Sequence, residues 1–294
     1  MRISHNITAL NTFRQYNTNT VNTNKSMEKL SSGSRINRAA DDAAGLSISE
    51  KMRSQIRGLT QATRNAQDGV SFIQTAEGAL NEVSDMLTRM KELTTQAKNG
   101  TYSADDQANI SAETKALGVA IQEIYVNTKF NGTQVFGAYA KTSTDGTTHV
   151  DNGTIYNADV STMKPAAEIF YGEDGKQSVT IDKADVSNLN KLLEQTFDKT
   201  LMAETDPDTL VEDAITEVNT QRAGYGALQN QLEHAANNMA TTKENLQAAE
   251  SRVRDVDMAD EMMSYTKNNI LLQAAQAMLA QANQQPQGVL QLLQ

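Results

Sequence analysis

The chain has 294 residues, a net charge of −10, 38% hydrophobic but only 5% aromatic residues, three prolines, and neither cysteine nor tryptophan. That length makes one large domain or two ordinary ones, and so little proline and aromatic content favours long helices over compact β or α/β cores. Without cysteine there is no disulfide framework, thiolate nucleophile or Cys-built zinc site; three scattered histidines (His5, His149, His234) offer no metal spacing, and the acidic balance excludes phosphate-tracking nucleic-acid binding.

In chain order, Met1 to Leu10 carries one Arg and no apolar run, so it does not read as a cleavable secretory signal. Asn6 to Asn24 is crowded with Asn and Thr, mediocre helix formers, although Ile3, Ile7, Leu10, Phe13, Val21, Met27 and Leu30 give the segment an apolar side. Asp41-Asp42-Ala43-Ala44-Gly45 reads as a helix start. Alternating steps of three and four from Leu59 then reach Ala62, Ala66, Gly69, Ile73, Ala76, Leu80, Val83, Leu87, Met90, Thr94 and Ala97, the period of a coiled-coil seam. Asn99-Gly100-Thr101 is a stop signal, and Ser103 caps a third helix from Ala104 to Asn127 with Ile110, Leu117, Ile121 and Ile124 on its apolar face. So short a connection predicts antiparallel packing of these two helices.

The stretch from Asn131 to Ile181 is rich in glycine, and Glu173-Asp174-Gly175-Lys176 between Glu168–Tyr171 and Ser178–Ile181 is a hairpin signal. Helical spacing returns at Val186, Leu189, Leu193 and Phe197, and Asp206-Pro207 reads as cap and first residue of the next helix. A second seam runs from Val211 through Ala214, Val218, Tyr225, Leu228, Leu232, Ala235, Met239, Leu246, Ala249 and Val253 to Val256, broken only by Gln221 and Thr242. The tail has a stripe of Ile270, Leu271, Ala274, Ala275, Met278, Leu279 and Ala282, a break at Pro286-Gln287-Gly288, and a final group of Val289, Leu290, Leu292 and Leu293. Asn268 to Gln294 is uncharged, yet 11 of its 27 residues are Asn or Gln, a composition foreign to a bilayer interior. The two weakly amphipathic ends read as segments that fold on finding partners, within one subunit or across many.

No catalytic constellation emerges. The pairs Asp41-Asp42 and Asp105-Asp106 and the neighbours Asp255 and Asp257 have no His, Cys or glycine-rich cradle beside them. Met258, Met262 and Met263 next to Asp260 and Glu261 read as adaptable packing residues at an interface rather than a metal cluster.

Leu30 to Met52, LSSGSRINRAADDAAGLSISEKM, closely resembles the N-terminal signature of bacterial flagellins, and the match continues through Ile56 to Ala62, Arg64 to Gly69, Gln74 to Glu82 and Phe130-Asn131-Gly132. Ala249 to Asp255, Ala277 to Gln284 and Pro286 to Leu290 resemble the C-terminal signature. Ser34 departs from the family, which commonly has an apolar residue there. The resemblance implies a mainly α fold, a long helical bundle or coiled-coil rod with a small β-hairpin region and paired terminal helices. Residues 1–43 and 254–294 would form an inner domain in the filament core and 44–253 a rod domain, with 137–205 as hairpin and small variable region. It implies a non-enzymatic, cofactor-free subunit of an extracellular filament that swims the cell, exported unfolded and without an ordinary signal. Its partners would be further copies of itself, an export chaperone, the filament cap, hook–filament junction proteins and, for the free subunit, the vertebrate Toll-like flagellin receptor, with no nucleic acid and no membrane. The resemblance maps receptor contact to Arg89, Leu93 and Glu113, and polymerisation to Ile3, Ile7, Leu10, Phe13, Val21, Leu30, Ile270, Leu271, Met278, Leu279, Val289, Leu290, Leu292 and Leu293. A hook–filament junction protein and a soluble coiled-coil signalling protein remain as alternatives at this stage.

Overall fold

The computed structural model describes residues 6–136, 167–172, 176–181, 187–197 and 207–292. The elements, in order, are α1 (Ile7–Ser32), α2 (Ala43–Ala97), α3 (Ala104–Asn127), β1 (Lys129–Phe130), β2 (Thr133–Gln134), β3 (Ala167–Phe170), β4 (Ser178–Ile181), α4 (Ser187–Phe197), α5 (Pro207–Arg254) and α6 (Met258–Leu292). Two compact units result: unit 1 from residues 1–56 and 243–294, unit 2 from residues 57–242.

Unit 2 is organised by the seam of α2. All twelve positions counted from Leu59 to Ala97 are buried, Gly69 and Thr94 included. The hydroxyl of Thr94 is satisfied locally by donating to the Lys91 carbonyl at 2.9 Å, so this polar residue sits in an apolar seam without an orphaned donor. On α5, Val211, Ala214, Val218, Tyr225, Leu232 and Met239 are buried in the same period. The ion pairs Lys91–Glu212 at 2.7 Å and Lys98–Asp208 at 2.8 Å show that α5 runs antiparallel to α2. Gly69 lets β3 and α5 approach closely, since an added Cβ would displace the terminal methyl of Ile169 and crowd that of Leu232.

The third helix begins and ends where its caps require. Ser103 Oγ accepts from the Asp106 N–H and the Asp106 carboxylate accepts from the Ser103 N–H, a reciprocal capping box that satisfies two orphan donors. After it, β1 and β2 pair through a two-residue turn in which Asn131 (φ 48°) and Gly132 (φ 81°) both take left-handed conformations, which this tight hairpin geometry requires. The Phe130-Asn131-Gly132 signature therefore codes a turn. Phe130 then meets Phe72 of α2 edge-on, with ring centroids 5.7 Å apart. The second hairpin pairs β3 with β4 in antiparallel register, Ile169 opposite Val179 and Ala167 opposite Ile181, with its strand positions within one residue of those expected. Glu173-Asp174-Gly175, Val186 and Asp206 lie outside the described residues. Helix α4 buries Leu189, Leu192 and Leu193, and Leu193 and Thr196 pack onto α3 at Gly118.

Unit 1 pairs α1 with α6, antiparallel: Asn6 at the start of α1 reaches Ala282 of α6, while Gly33 just past its end reaches Val256 just before α6. Between α1 and α2 the chain makes a compact turn. Gly33 ends α1 in the left-handed conformation and donates to the Lys29 carbonyl at 2.9 Å. Ser34 forms an antiparallel bridge with Asp255, flanked by Arg35 N–H to Arg254 C=O at 2.7 Å and Val256 N–H to Gly33 C=O at 3.1 Å. Position 34 thus takes part in this link through its backbone, which does not depend on the side chain there. Asp42 Oδ1 accepts from the Gly45 N–H at 2.9 Å, so the expected start of α2 is a genuine cap.

One expectation from the sequence is overturned. The break at Pro286-Gln287-Gly288 is absent, for α6 runs without interruption to Leu292. A proline at position 286 leaves the carbonyl four residues earlier, at Ala282, without its helical donor. Asn6 Nδ2 donates to that carbonyl at 2.8 Å, so the partner helix supplies the missing bond.

Candidate functional site

Arg89 on α2 donates from Nη2 to Glu113 Oε1 of α3 at 3.0 Å and from Nε at 3.2 Å, and from Nη1 to Glu92 at 2.9 Å. Both partners of the α2–α3 pair are half exposed. Glu92 and then Glu113, each bonded to the guanidinium, raise the pKa of Arg89 above its ordinary value. Arg89 and Glu113 are thus brought side by side on the surface. Leu93 is not: it is 1% exposed and packs with Ala97, Ile110 and Leu117 beneath them.

The α1–α6 pair has a different chemistry. Steps of three and four along α1 connect Ala9, Thr12, Tyr16, Asn19, Thr23, Ser26 and Leu30, the residues turned inward, with Asn19, Thr23 and Ser26 the most buried. The matching row on α6 is Glu261, Tyr265, Asn268, Leu272, Ala275, Leu279 and Ala282. This is a heptad seam whose most buried positions, Asn19, Thr23, Ser26, Ala275 and Ala282, are polar or small, with Leu30, Leu272 and Leu279 half-buried among them. It tolerates hydroxyls because they bond within their own helix: Thr12 to the Thr8 carbonyl at 3.1 Å, Thr20 to Tyr16 at 2.9 Å and Thr23 to Asn19 at 2.8 Å. Such bonds leave few donors for the partner helix, and little apolar area is hidden, so the pair gains modest stability from its own interface.

Most of the large apolar side chains face the other way. Ile7, Leu10, Phe13, Val21 and Met27 on α1, and Met258, Met262, Met263, Ile270, Leu271 and Met278 on α6, are all more than two-fifths exposed, with Leu10 at 62% and Met263 at 65%. Among the described residues, the other large hydrophobic side chains exposed to that degree are Phe170 in unit 2 and Ile48 in unit 1. On α6 a shallow apolar groove runs between Met262, Met263, Ile270 and Leu271, edged by Thr266 and Lys267. Leu30 and Leu279 are half-buried in the seam. Ile3 and Leu293, and the side chains of Val289, Leu290 and Leu292, lie outside the described residues. Sequence reasoning found the exposed residues by their helical spacing but missed the polar seam, which only a heptad count blind to hydrophobicity would have exposed.

The junction that carries the N-terminal signature is rich in ion pairs. Arg38 makes a two-pronged bond to Glu28 at 3.0 and 3.2 Å, Arg254 meets Glu50 at 2.7 Å, and Arg53 meets Glu250 at 3.3 Å. The Asp41 carboxylate accepts from the N–H groups of Arg38 and Asn37, and these bonds lower its pKa below the usual carboxylate range. Ile36 is buried here at 1% exposure. Among the described residues there is no cluster of side chains suited to a metal ion and no helix long and apolar enough to cross a membrane.

Comparison with known proteins matches residues 3–141 to the family model of the bacterial flagellin N-terminal helical region and residues 209–293 to that of the C-terminal helical region. A flagellin of Bacillus subtilis (strain 168) is 49% identical over the whole of both chains. The flagellar filament 33 kDa core protein of Treponema phagedenis is 45% identical, again over the whole of both. A solved structure of a putative flagellar hook-associated protein from Vibrio parahaemolyticus shares the fold, with a TM-score of 0.55 at 16% identity, covering 73% of this chain and 100% of that one.

Proposed function

The chain belongs to the bacterial flagellin family and is a structural, non-enzymatic subunit of the flagellar filament; on that premise we propose that the exposed apolar faces of α1 and α6 are the surfaces by which copies pack against one another. The observation that carries this is the inversion within unit 1, where Asn19, Thr23 and Ser26 are buried while Leu10, Phe13, Ile270 and Met263 stand in solvent. An apolar surface this extended marks an interaction site. Contacts that repeat between different surfaces of successive copies do not close, and so generate a helical polymer. Ile3, Ile7, Leu10, Phe13, Val21, Ile270, Leu271, Met278, Val289, Leu290, Leu292 and Leu293 are the side chains assigned to that packing, with Leu30 and Leu279 holding the helix pair that displays them. The inner layer of the filament would be built from 1–43 and 254–294, and the surrounding layer from 44–253.

A subunit exported unfolded needs terminal helices that are marginal alone and stable once surrounded, which the polar seam supplies. An export chaperone would shield the same apolar faces before secretion, and the cap and hook–filament junction proteins would present matching faces at the two ends of the polymer. For the free subunit, the half-exposed Arg89–Glu113 pair is the proposed contact for the vertebrate Toll-like receptor, with Leu93 fixing the α2–α3 packing beneath it. The junction-protein alternative shares this fold, so sequence decides against it: the identity is to filament proteins over the whole length.

The test is electron microscopy of the purified, acid-dissociated chain returned to neutral pH with sulfate, which strengthens apolar burial, beside a chain lacking residues 268–294. Long filaments from the intact chain alone support the assignment. Discrete particles from both would overturn it in favour of a junction protein.

A further inference from the structure

Among the described methionines, Met52 of unit 1 and Met86 of unit 2 are half-buried, and the fully buried and the most exposed ones fall in different units. In unit 2, Met90 and Met239 are buried in the helical seams. In unit 1, Met27, Met258, Met262, Met263 and Met278 are all at least half exposed. Three of them crowd the first turns of α6, where Met262 and Met263 form one wall of the apolar groove that ends at Ile270 and Leu271. With no cysteine in the chain, the methionine thioether is its most readily oxidised side chain.

We propose that Met258, Met262 and Met263 are a reversible oxidation site, open to hydroperoxides in the free subunit and closed in the polymer, whose oxidation blocks addition of that subunit. The inference rests on the assembly reading above. In the reaction the thioether sulfur attacks the distal oxygen of the hydroperoxide. An S–O bond forms as the O–O bond breaks, the distal proton passes to the leaving oxygen, and water or an alcohol departs. Sulfur loses two electrons to become the sulfoxide, and the peroxide gains them. An apolar, pliable side chain thereby becomes a polar one whose oxygen must be hydrogen-bonded or solvated. At the edge of the groove, water and the Lys267 ammonium can offer donors while the subunit is free, the Thr266 hydroxyl being already committed to the Met262 carbonyl at 2.8 Å. Once a neighbouring copy covers the groove, an unbonded sulfoxide is buried at a cost that reduces association by about tenfold or more. Buried Met90 and Met239 serve as internal references, because solvent does not reach them in either state.

The experiment treats free chain and preformed filaments with dilute hydrogen peroxide, maps sulfoxides by peptide mass spectrometry, and measures the monomer left beside polymer after seeded growth. Expected are oxidation of Met258, Met262 and Met263 well ahead of Met90 and Met239 in the free chain, protection of the three in filaments, and a rise of about tenfold in residual monomer that methionine sulfoxide reductase with a thiol reductant reverses. In a Met258→Leu, Met262→Leu, Met263→Leu chain, where the side chains stay apolar and close in volume but cannot be oxidised, the residual monomer should be the same before and after peroxide. Equal oxidation of buried and exposed methionines, or full peroxide sensitivity in the leucine chain, would overturn the oxidation site. Complete oxidation of the three with unchanged growth would instead remove this face from the assembly surface. If the untreated chain fails to polymerise, the assembly reading fails and the proposed block falls with it.

Discussion

Units 1 and 2 are both held by long antiparallel helices with a period of three and four, yet they fill that period with opposite chemistry. In unit 2 the seam is mainly apolar, buried throughout from Leu59 to Ala97 on α2 and at Val211, Ala214, Val218, Tyr225, Leu232 and Met239 on α5. In unit 1 the most buried positions of α1 are Asn19, Thr23 and Ser26, and most of the large apolar residues lie outside. A helix pair of the first kind is complete in one chain; one of the second kind has most of its hydrophobic stabilisation still to gain from a neighbour. Periodicity alone therefore tells which residues share a face but not whether that face is buried within the subunit or between subunits.

The sharpest way to break the comparison is to remove the same side chain from each unit. Leu87→Ala in unit 2 should destabilise the free chain by about 2–5 kcal/mol, measured by denaturant unfolding, because it opens a cavity in a closed seam. Leu10→Ala in unit 1 should change that stability by less than about 0.5 kcal/mol while raising the monomer concentration left beside polymer. Equal effects of the two on the free chain would contradict the division.

Asn6→Ala comes next. It removes both the cap of α1, where Asn6 Oδ1 accepts from the Ala9 N–H at 3.1 Å, and the donor to the Ala282 carbonyl that Pro286 leaves unpaired. Loss of about 1–3 kcal/mol from the terminal pair is expected, read as faster hydrogen exchange at both ends of α1 and α6, and a Pro286→Ala background should recover part of it.

A smaller effect concerns acid. Because the bonds from Arg38 and Asn37 lower the Asp41 pKa from its ordinary 3.8, this carboxylate contributes stability that is fully present above that value and is lost as pH falls through the lowered one. Asp41→Asn should therefore flatten the decline of thermal stability below about pH 4, followed by circular dichroism. The smallest effect on the fold is that of Arg89→Asp. Its ion pair with Glu113 is half exposed and screened by solvent, so the stability of the fold should change little. Receptor binding by the free subunit, measured by surface plasmon resonance, should fall sharply; undiminished binding would remove Arg89 from the contact.

Much of the architecture was legible in the sequence. The twelve-position seam of α2, the bounds of α3 with its Ser103 cap, the Asp42 start of α2 and the pairing of β3 with β4 each depend on local rules that short stretches obey. The α5 seam was legible only in part, since beyond Met239 its positions Leu246, Ala249, Val253 and Val256 are half-buried rather than closed. Pro286 misled because its missing donor is replaced from 276 residues away, by Asn6, and no local rule sees that far. The polar seam of α1 and α6 was hidden for a related reason: Asn19 and Thr23 read as weak helix formers, and only their position in the pair shows that they hold it together. At the candidate receptor contact, spacing placed Arg89 and Leu93 on one side of α2, and the structure separates a surface arginine from a leucine buried against Ile110.

The most direct measurement is residue-resolved hydrogen exchange on the free chain and on its filaments. The account predicts that 59–97 and 211–239 are protected in both, whereas 7–32 and 258–284 exchange rapidly in the free chain and become protected in the filament. Terminal helices already as protected as unit 2 in the free chain, or unchanged on assembly, would contradict it.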